Sequence, residues 1–224
     1  MSAPGNLIAA GRDADIFEYD KGTVLRRSRN GRSQVLEARA MAFVRSKGYP
    51  VPEVIDVSDD GIDLVMERIS GPTMIQAAST QPWKLRAFGR ELAELHESLH
   101  LLAAPDWMPS APCGPGKRFL HMDLHPLNII LSSKGPVVID WTNAARGNPM
   151  ADVAATWVLL ASANVPGGRL QSAMAKVGRG VLLRAFLDPF PKIDLSAVMN
   201  SVVEWKCKDS NMTAAEIVRM RSLL

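Results

Sequence analysis

Apolar residues in this sequence change their spacing near residue 70, and that change limits the fold more than any other feature. Before it, short runs with strand character are punctuated by turn signals. "DIFEYD" and "GTVLRRS" flank Asp20-Lys21-Gly22, and two further runs in "VPEVIDVSDDGIDLVMERIS" flank an Asp-Asp-Gly turn. Between these pairs Val35, Leu36, Ala40, Phe43 and Val44 recur at helical spacing and Gly48 follows, which predicts a helix over about residues 33–46. After "SGPTM" the period becomes helical. Leu85, Phe88, Leu92, Leu95 and Leu99 share one face of a helix from Pro82 to about Leu101, and the segment from Asp152 onward reads as mostly helical. "AAPDWMPSAPCGPGK" is too rich in Pro and Gly to be anything but a loop. The expectation is an α+β chain: a small sheet carrying one helix over residues 1–69, joined near Glu67 to Gly71 to a larger, mostly helical lobe over residues 70–224.

Composition narrows the class of function. With 224 residues, 47% hydrophobic and 22% charged, the chain is long and apolar enough for a substantial core. A formal charge of +3 suits an anionic ligand but is too diffuse to argue for nucleic acid. Cys113 and Cys207 have no metal-type pairing around them, which points away from a disulfide framework or a structural zinc. No basic region followed by an apolar run opens the sequence, and "VAATWVLLASANV" is too short to cross a bilayer, so a cytoplasmic protein without a membrane span is expected.

The chemistry concentrates in "FLHMDLHPLNIILSSKGPVVIDWTNAARGNPMADVA", residues 119–154. Asn128 lies five residues after Asp123, and Asp140 twelve after Asn128, with the apolar runs "NIIL" and "VVID" between them. A tight loop followed by a short hairpin is expected to gather these side chains at one end of the strands. One carboxylate and one amide supply oxygen ligands for a hard cation such as Mg²⁺, and a further carboxylate can orient a hydroxyl or take its proton. That is equipment for phosphoryl transfer from a nucleotide, where catalysis is mostly positioning and charge neutralisation.

His121-x-Asp123-x-x-x-x-Asn128, followed by the strand end Ile139-Asp140-Trp141, resembles the aminoglycoside phosphotransferase and choline kinase family, which has a two-lobed protein-kinase-like fold. The resemblance implies that Asp123 meets the acceptor hydroxyl, that Asn128 and Asp140 hold magnesium, and that His121 supports the loop. It also implies that Asp152, closing "GNPMAD", accepts backbone N–H groups of the catalytic loop. In the first lobe Arg26 stands where the family places a phosphate-binding cation, with Glu37 as its partner. The loop over the phosphates would contain Gly11, and the backbone of Met66, Glu67, Arg68 and Ile69 would meet the adenine of ATP or GTP. His125 admits either a structural or a chemical role. His96 and His100 are expected at the surface or boundary of their helix, Trp141 in packing, and Met66 and Met74 in the core.

Two departures shape the substrate. The family usually has a helical insertion between the long helix and the His-x-Asp loop, which this sequence lacks. The segment 155–224 also has nine Lys and Arg against five Asp and Glu, an excess of four positive charges. Both favour a neutral or singly charged small-molecule hydroxyl over a multi-ring aminoglycoside. The competing readings are a protein kinase, disfavoured by the single glycine of the first loop and the absence of Asp-Phe-Gly and Ala-Pro-Glu, and a nucleotide-binding regulator or pseudokinase, disfavoured by the intact Asp123, Asn128 and Asp140.

Overall fold

The computed structural model describes residues 4–11, 13–163, 169–209 and 212–224. They group into two compact units, Met1–Gly71 with Ile130–Asn143, and Pro72–Ile129 with Ala144–Leu224. The chain therefore returns to its first unit after leaving it, so no single cut near residue 70 separates the two.

The first unit is built on five antiparallel strands: β1 (Leu7–Ala10), β2 (Ala14–Glu18), β3 (Thr23–Ser28), β4 (Val54–Val57) and β5 (Asp63–Glu67). Their order is β1-β2-β3-β5-β4, which makes β3 the centre and pairs Arg26 with Ile16 on one side and Leu64 on the other. Helix α1 (Val35–Ser46) follows β3 as the spacing predicts, but it buries a different face. Glu37, Ala38, Ala40, Met41 and Val44 are inside, while Val35 and Leu36 are exposed. The apolar spacing places the face one step off because a buried Arg26 draws Gln34 and Glu37 inward. Strand β1 is also an addition, since four residues of "LIAA" are too short to show a period. The hairpin β7 (Ile129–Ser132) and β8 (Gly135–Val138) begins at the last residue of the second unit, and Val138 N–H donates to the Pro50 carbonyl at 2.9 Å. Trp141 does pack: it is 1% exposed and sets its ring edge-on to Tyr49 at 5.6 Å.

In the second unit a capping box closes the start of α2 (Met74–Thr80). The Thr73 hydroxyl accepts from Gln76 N–H and the Gln76 side chain accepts from Thr73 N–H. The long helix α3 (Leu85–His100) buries Phe88, Leu92, Leu95 and Leu99 as expected. It packs on α5 (Arg169–Leu187), while α4 (Pro149–Ser162) packs on α6 (Lys192–Lys206) and α7 (Ala214–Arg221). Strands β6 (Arg118–Leu120) and β9 (Ala145–Gly147) pair antiparallel beside them. The Pro- and Gly-rich loop is a loop, yet a pinned one: Ala104 N–H donates to Lys117 and Ala111 N–H to Arg146. Arg12, in the loop expected over the phosphates, and the side chain of Arg169 lie outside the described residues. No helix of the described residues is long and apolar enough to cross a membrane.

The histidines of α3 overturn the surface expectation. His96 is 0% exposed and His100 9%. His96 donates Nδ1–H to the Leu92 carbonyl at 2.8 Å and turns Nε2 to the Thr156 hydroxyl at 3.0 Å; His100 Nε2–H donates to Asp152 at 3.1 Å. The helical period could not reveal this, because the partners that make burial tolerable lie 52 and 60 residues away. Burial pushes the His96 imidazole down to about 4, against a smaller pull upward from Asp152.

Two tests follow from this packing. A Cβ on Gly89 would meet the Leu182 carbonyl oxygen and lie 2.8 Å from the Ala185 Cβ, whereas one on Gly180 would meet nothing within 4 Å. Gly89→Ala should therefore destabilise by about 1–3 kcal/mol through overpacking, although Ala is the better helix former, and Gly180→Ala should stabilise by about 0.5–1 kcal/mol. Urea midpoints of the two variants should move in opposite directions. For His96 the unfolded chain takes up a proton near pH 6.5 that the folded protein refuses until about pH 4. Stability should therefore be lost as pH falls through that window, with a slope of up to about 1.4 kcal/mol per pH unit. His96→Gln should flatten the urea-midpoint profile between pH 6.5 and 5.

Candidate active site

Within the second unit, the loop between β6 and β7 holds His121, Asp123 and Asn128. Its shape is set from beneath by Asp152, in the first turn of α4 and 0% exposed. One Asp152 oxygen accepts Met122 N–H at 2.7 Å, and the other accepts His121 N–H at 2.9 Å and His100 Nε2–H at 3.1 Å. Burial alone would raise this carboxyl, but the His100 hydrogen bond, with the neighbouring imidazoles, holds it far below the usual range. The clamp matters because Met122, fully buried, adopts φ 65°, a conformation that costs a side-chain-bearing residue energy and persists only when its surroundings impose it.

Above the clamp the side chains lock one another. His121 Nδ1 accepts Asp123 N–H at 3.2 Å, so the ring is a support whose Nδ1 lone pair is already engaged. Asn128 Nδ2 donates to the Asp123 carbonyl at 3.0 Å and to Asp123 Oδ2 at 3.2 Å. Both amide hydrogens being directed at Asp123, the Asn128 oxygen is turned the other way, where an oxygen-seeking cation can use it. His125 accepts Leu127 N–H at Nδ1 and brings Nε2 to 3.7 Å from Asp123 Oδ2. The remaining partner is one that the sequence did not single out. Lys206, at the end of α6, donates to Asp123 Oδ1 at 2.9 Å with its side chain only 2% exposed. Burial pushes the Asp123 carboxyl up, but Lys206 and then His125 outweigh it and leave the group below its ordinary value.

Within the first unit, Arg26 and Glu37 form the expected pair at 2.8 Å, both nearly buried. Arg26 does more than pair. It also donates to Gln34 Oε1, to Asp140 Oδ1 at 3.3 Å and to the Thr142 hydroxyl at 3.1 Å. Gln34 is fixed in turn, donating to the carbonyls of Arg26 and Ile62. The Thr142 hydroxyl, besides receiving from Arg26, has its own hydrogen in reach of Glu37 at 3.0 Å and Asp140 at 2.9 Å. Burial raises the Glu37 carboxyl more than Arg26 lowers it, and Asp140 adds to the rise. Asp140 itself sits at φ 63°, with Oδ1 held by Arg26 and Thr142 and 44% of its side chain exposed. Arg32 donates to the Thr142 carbonyl at 3.1 Å and, with Arg26, Ser28 and Asn30, lines a polar cleft on this unit.

The other nucleotide-side residues are placed by the sheet. Gly11 donates its N–H to Ala14 at 2.9 Å across the β1–β2 turn, and a Cβ there would come to 2.8 Å from that carbonyl oxygen. Met66 pairs with Val24 and Val54, and the amides of Glu67 and Arg68 donate to Glu53 and Gly22. Ile69, just past β5, follows two amides that are thus engaged within the sheet. Among the described residues no group of three or more His, Cys, Asp or Glu could hold a metal ion. A cation here would rely on few protein ligands and complete its shell with water and phosphate, as Mg²⁺ does. Asn128 on the second unit and Asp140 on the first each have a side-chain oxygen of the hard type such a cation accepts.

Comparison with known proteins agrees with these motifs. The sequence profile of the phosphotransferase enzyme family matches residues 101–180. A probable serine/threonine-protein kinase BUD32 homolog from Archaeoglobus fulgidus is 30% identical over 126 residues, which are 56% of this chain, and the chain spans only half (50%) of that relative's length. Among solved structures, aminoglycoside phosphotransferase APH(4)-Ia superposes with a TM-score of 0.70 at 16% identity, over 97% of this chain and 92% of that one. A choline/ethanolamine kinase family protein from Mesorhizobium loti gives 0.61 at 16% identity, over 99% and 88%. The fold is that of the kinase-like phosphotransferases, and the segment bearing His121, Asp123, Asn128 and Asp140 is that of the phosphotransferase enzyme family, aminoglycoside phosphotransferases and choline kinase-like proteins among its structural neighbours.

Proposed function

We propose that this chain is a phosphotransferase that moves the γ-phosphoryl group of ATP or GTP to a hydroxyl of a small molecule. The observation that carries the reading is the Asp123 carboxylate, held by Asn128, Lys206 and the Asp152-clamped backbone, ionised and still 21% exposed at its side chain. A carboxylate so well hydrogen-bonded is a weak base, which suits a group that orients a hydroxyl more than one that strips it. In the transfer the acceptor oxygen bonds to the γ-phosphorus as the bond to the β,γ-bridging oxygen breaks. That electron pair leaves with the nucleoside diphosphate, and the hydroxyl proton passes to Asp123 and on to solvent once the new bond is advanced. Asn128 and Asp140 are the ligands for Mg²⁺, which when bound neutralises phosphate charge. Arg26, held by Glu37 and Gln34, orients Asp140 and contributes positive charge toward the phosphates, while the Gly11 turn and the Met66–Ile69 backbone border the nucleotide.

The excess charge of the tail and the missing insertion support a neutral or singly charged acceptor over a multi-ring aminoglycoside. The named archaeal relative favours a second reading, in which the hydroxyl belongs to a protein side chain. Labelled ATP offered with a panel of amino sugars, choline-like amines, sugars and nucleosides, and separately with a mixed protein substrate, distinguishes the two. A large Asp123-dependent rise in resistance of a sensitive bacterium to kanamycin, gentamicin or streptomycin would overturn the preference on acceptor charge.

Two substitutions test the assignments. Asp123→Asn should lower turnover by roughly 10²–10⁴ while leaving nucleotide affinity nearly intact, and turnover within a few-fold of wild type would remove Asp123 from the chemistry. Asp140→Ala should abolish the magnesium dependence of nucleotide binding in calorimetry together with activity, because the triphosphate charge loses its counter-ion.

A further inference from the structure

In the segment 121–129 every residue is buried or half-buried except Leu127, which is 58% exposed. Slack in the chain does not put it there. Its N–H donates to His125 Nδ1 at 3.3 Å, and the next amide, that of Asn128, donates to the His125 carbonyl at 2.8 Å. The Nε2 of the same ring stands 3.7 Å from Asp123 Oδ2, and the Asn128 side chain bonds that oxygen at 3.2 Å. The imidazole thus connects the Leu127 backbone to the Asp123 carboxylate. A turn held on both sides carries an isobutyl group into solvent next to that carboxylate.

A second apolar side chain is set beside the same turn. Ile75 N–H donates to the Pro126 carbonyl at 3.1 Å, and Ile75 is itself 39% exposed. The Thr73 and Gln76 capping box fixes it in the first turn of α2. A lone exposed leucine is ordinary on a protein surface. Two apolar side chains on separate elements, both anchored by hydrogen bonds to one turn beside a catalytic carboxylate, form a preorganised surface for a ligand.

The charges nearby leave selection to that surface. Lys206 Nζ and Asp123 Oδ1 match each other at 2.9 Å, so an ionic group on the acceptor finds no unmatched partner in the pair. An apolar group, by contrast, gains by covering Leu127 and Ile75 and leaving water.

We propose that Leu127 and Ile75 form an apolar subsite for the acceptor, which selects hydroxyl compounds carrying an aromatic ring or short alkyl chain a few bonds from the reacting hydroxyl. The proposal rests on the phosphotransferase reading of Asp123 and deepens it by naming the acceptor class. Leu127 acts on specificity through contact with the apolar part and takes no part in bond making.

Four neutral alcohols test this: 2-phenylethanol and hexan-1-ol, which carry an apolar group, and ethanol and glycerol, which do not. Binding to the full chain with ATP and magnesium is followed on the Leu and Ile methyl resonances, and transfer by release of nucleoside diphosphate above the acceptor-free rate. The first two alcohols should shift the methyls of Leu127 and Ile75, and exceed ethanol and glycerol by about tenfold in affinity and in kcat/KM, mainly through KM. Leu127→Asn should bring the four within a few-fold of one another, and Leu127→Met should keep the order. Being on the surface, Leu127 can be changed without opening the core, and Ile75→Asn provides a second variant with the same expectation. Unmoved Leu127 and Ile75 methyls, or an advantage of the apolar alcohols that survives Leu127→Asn, overturns the proposal. Asp123-dependent transfer with equal use of all four alcohols overturns it too, while leaving the phosphotransferase reading in place. Leu127-dependent binding of 2-phenylethanol with no transfer to any alcohol supports the subsite and counts against the phosphotransferase reading alone.

Discussion

The Asp152 carboxylate, sealed from water, is the interaction on which the rest of the second unit's site depends. It accepts from two consecutive backbone amides, His121 and Met122, and from the His100 ring. Removing one partner from such a buried charge costs about 3–5 kcal/mol, because the remaining groups are left desolvated without a match. Only while the amides are held there does Met122 keep its positive φ, and only then does the chain turn so that Asp123 N–H reaches His121 Nδ1. The position of Asp123 is thus inherited from a side chain 29 positions further along the chain.

Each unit carries an acidic residue tied down by a cation from a distant element, and the two ties differ in kind. Arg26 holds Asp140 as one arm of a planar fork whose other arm holds Glu37 and Gln34, a geometry that an ammonium could not reproduce. Lys206 holds Asp123 as a point charge against an aromatic face. Asp140, half outside, is the one that under the proposed function would meet a charged ligand. Asp123, more enclosed, is kept ionised at a cost in basicity, which suits the proposed role of orienting a hydroxyl.

What the sequence made legible was local or periodic. The alternation before residue 70 gave the central strands, the run of Leu and Phe gave α3, and the His121-x-Asp123-x-x-x-x-Asn128 spacing gave a loop whose side chains do meet. The Arg26 and Glu37 pair was readable through the family resemblance, which places a cation on that strand and its partner on the helix that follows. The residues with no local signal act across long separations. His100 meets Asp152 over 52 positions and Lys206 meets Asp123 over 83, and by composition Lys206 is one of nine tail bases. The buried face of α1 departs from its apolar spacing for a related reason: a hydrophobic period cannot show that polar Gln34 and Glu37 turn inward for a buried Arg. Thr142 is silent as well, since a single hydroxyl after an Ile-Asp-Trp strand end has no pattern of its own.

The loop of residues 103–117 is closed at its base. Its two ends are joined by Ala104 N–H on the Lys117 carbonyl at 2.9 Å and by the bridge from Ala103 to Arg118, and its middle is fastened to β9 through Ala111 and Arg146. The ends meet whatever lies between them. Extra chain spliced in there would start and finish at the same point, and each doubling of such a loop adds only about 0.6 kcal/mol of closure entropy. The junction is a socket, able to receive an added subdomain over evolutionary time without disturbing the strands that carry the catalytic loop.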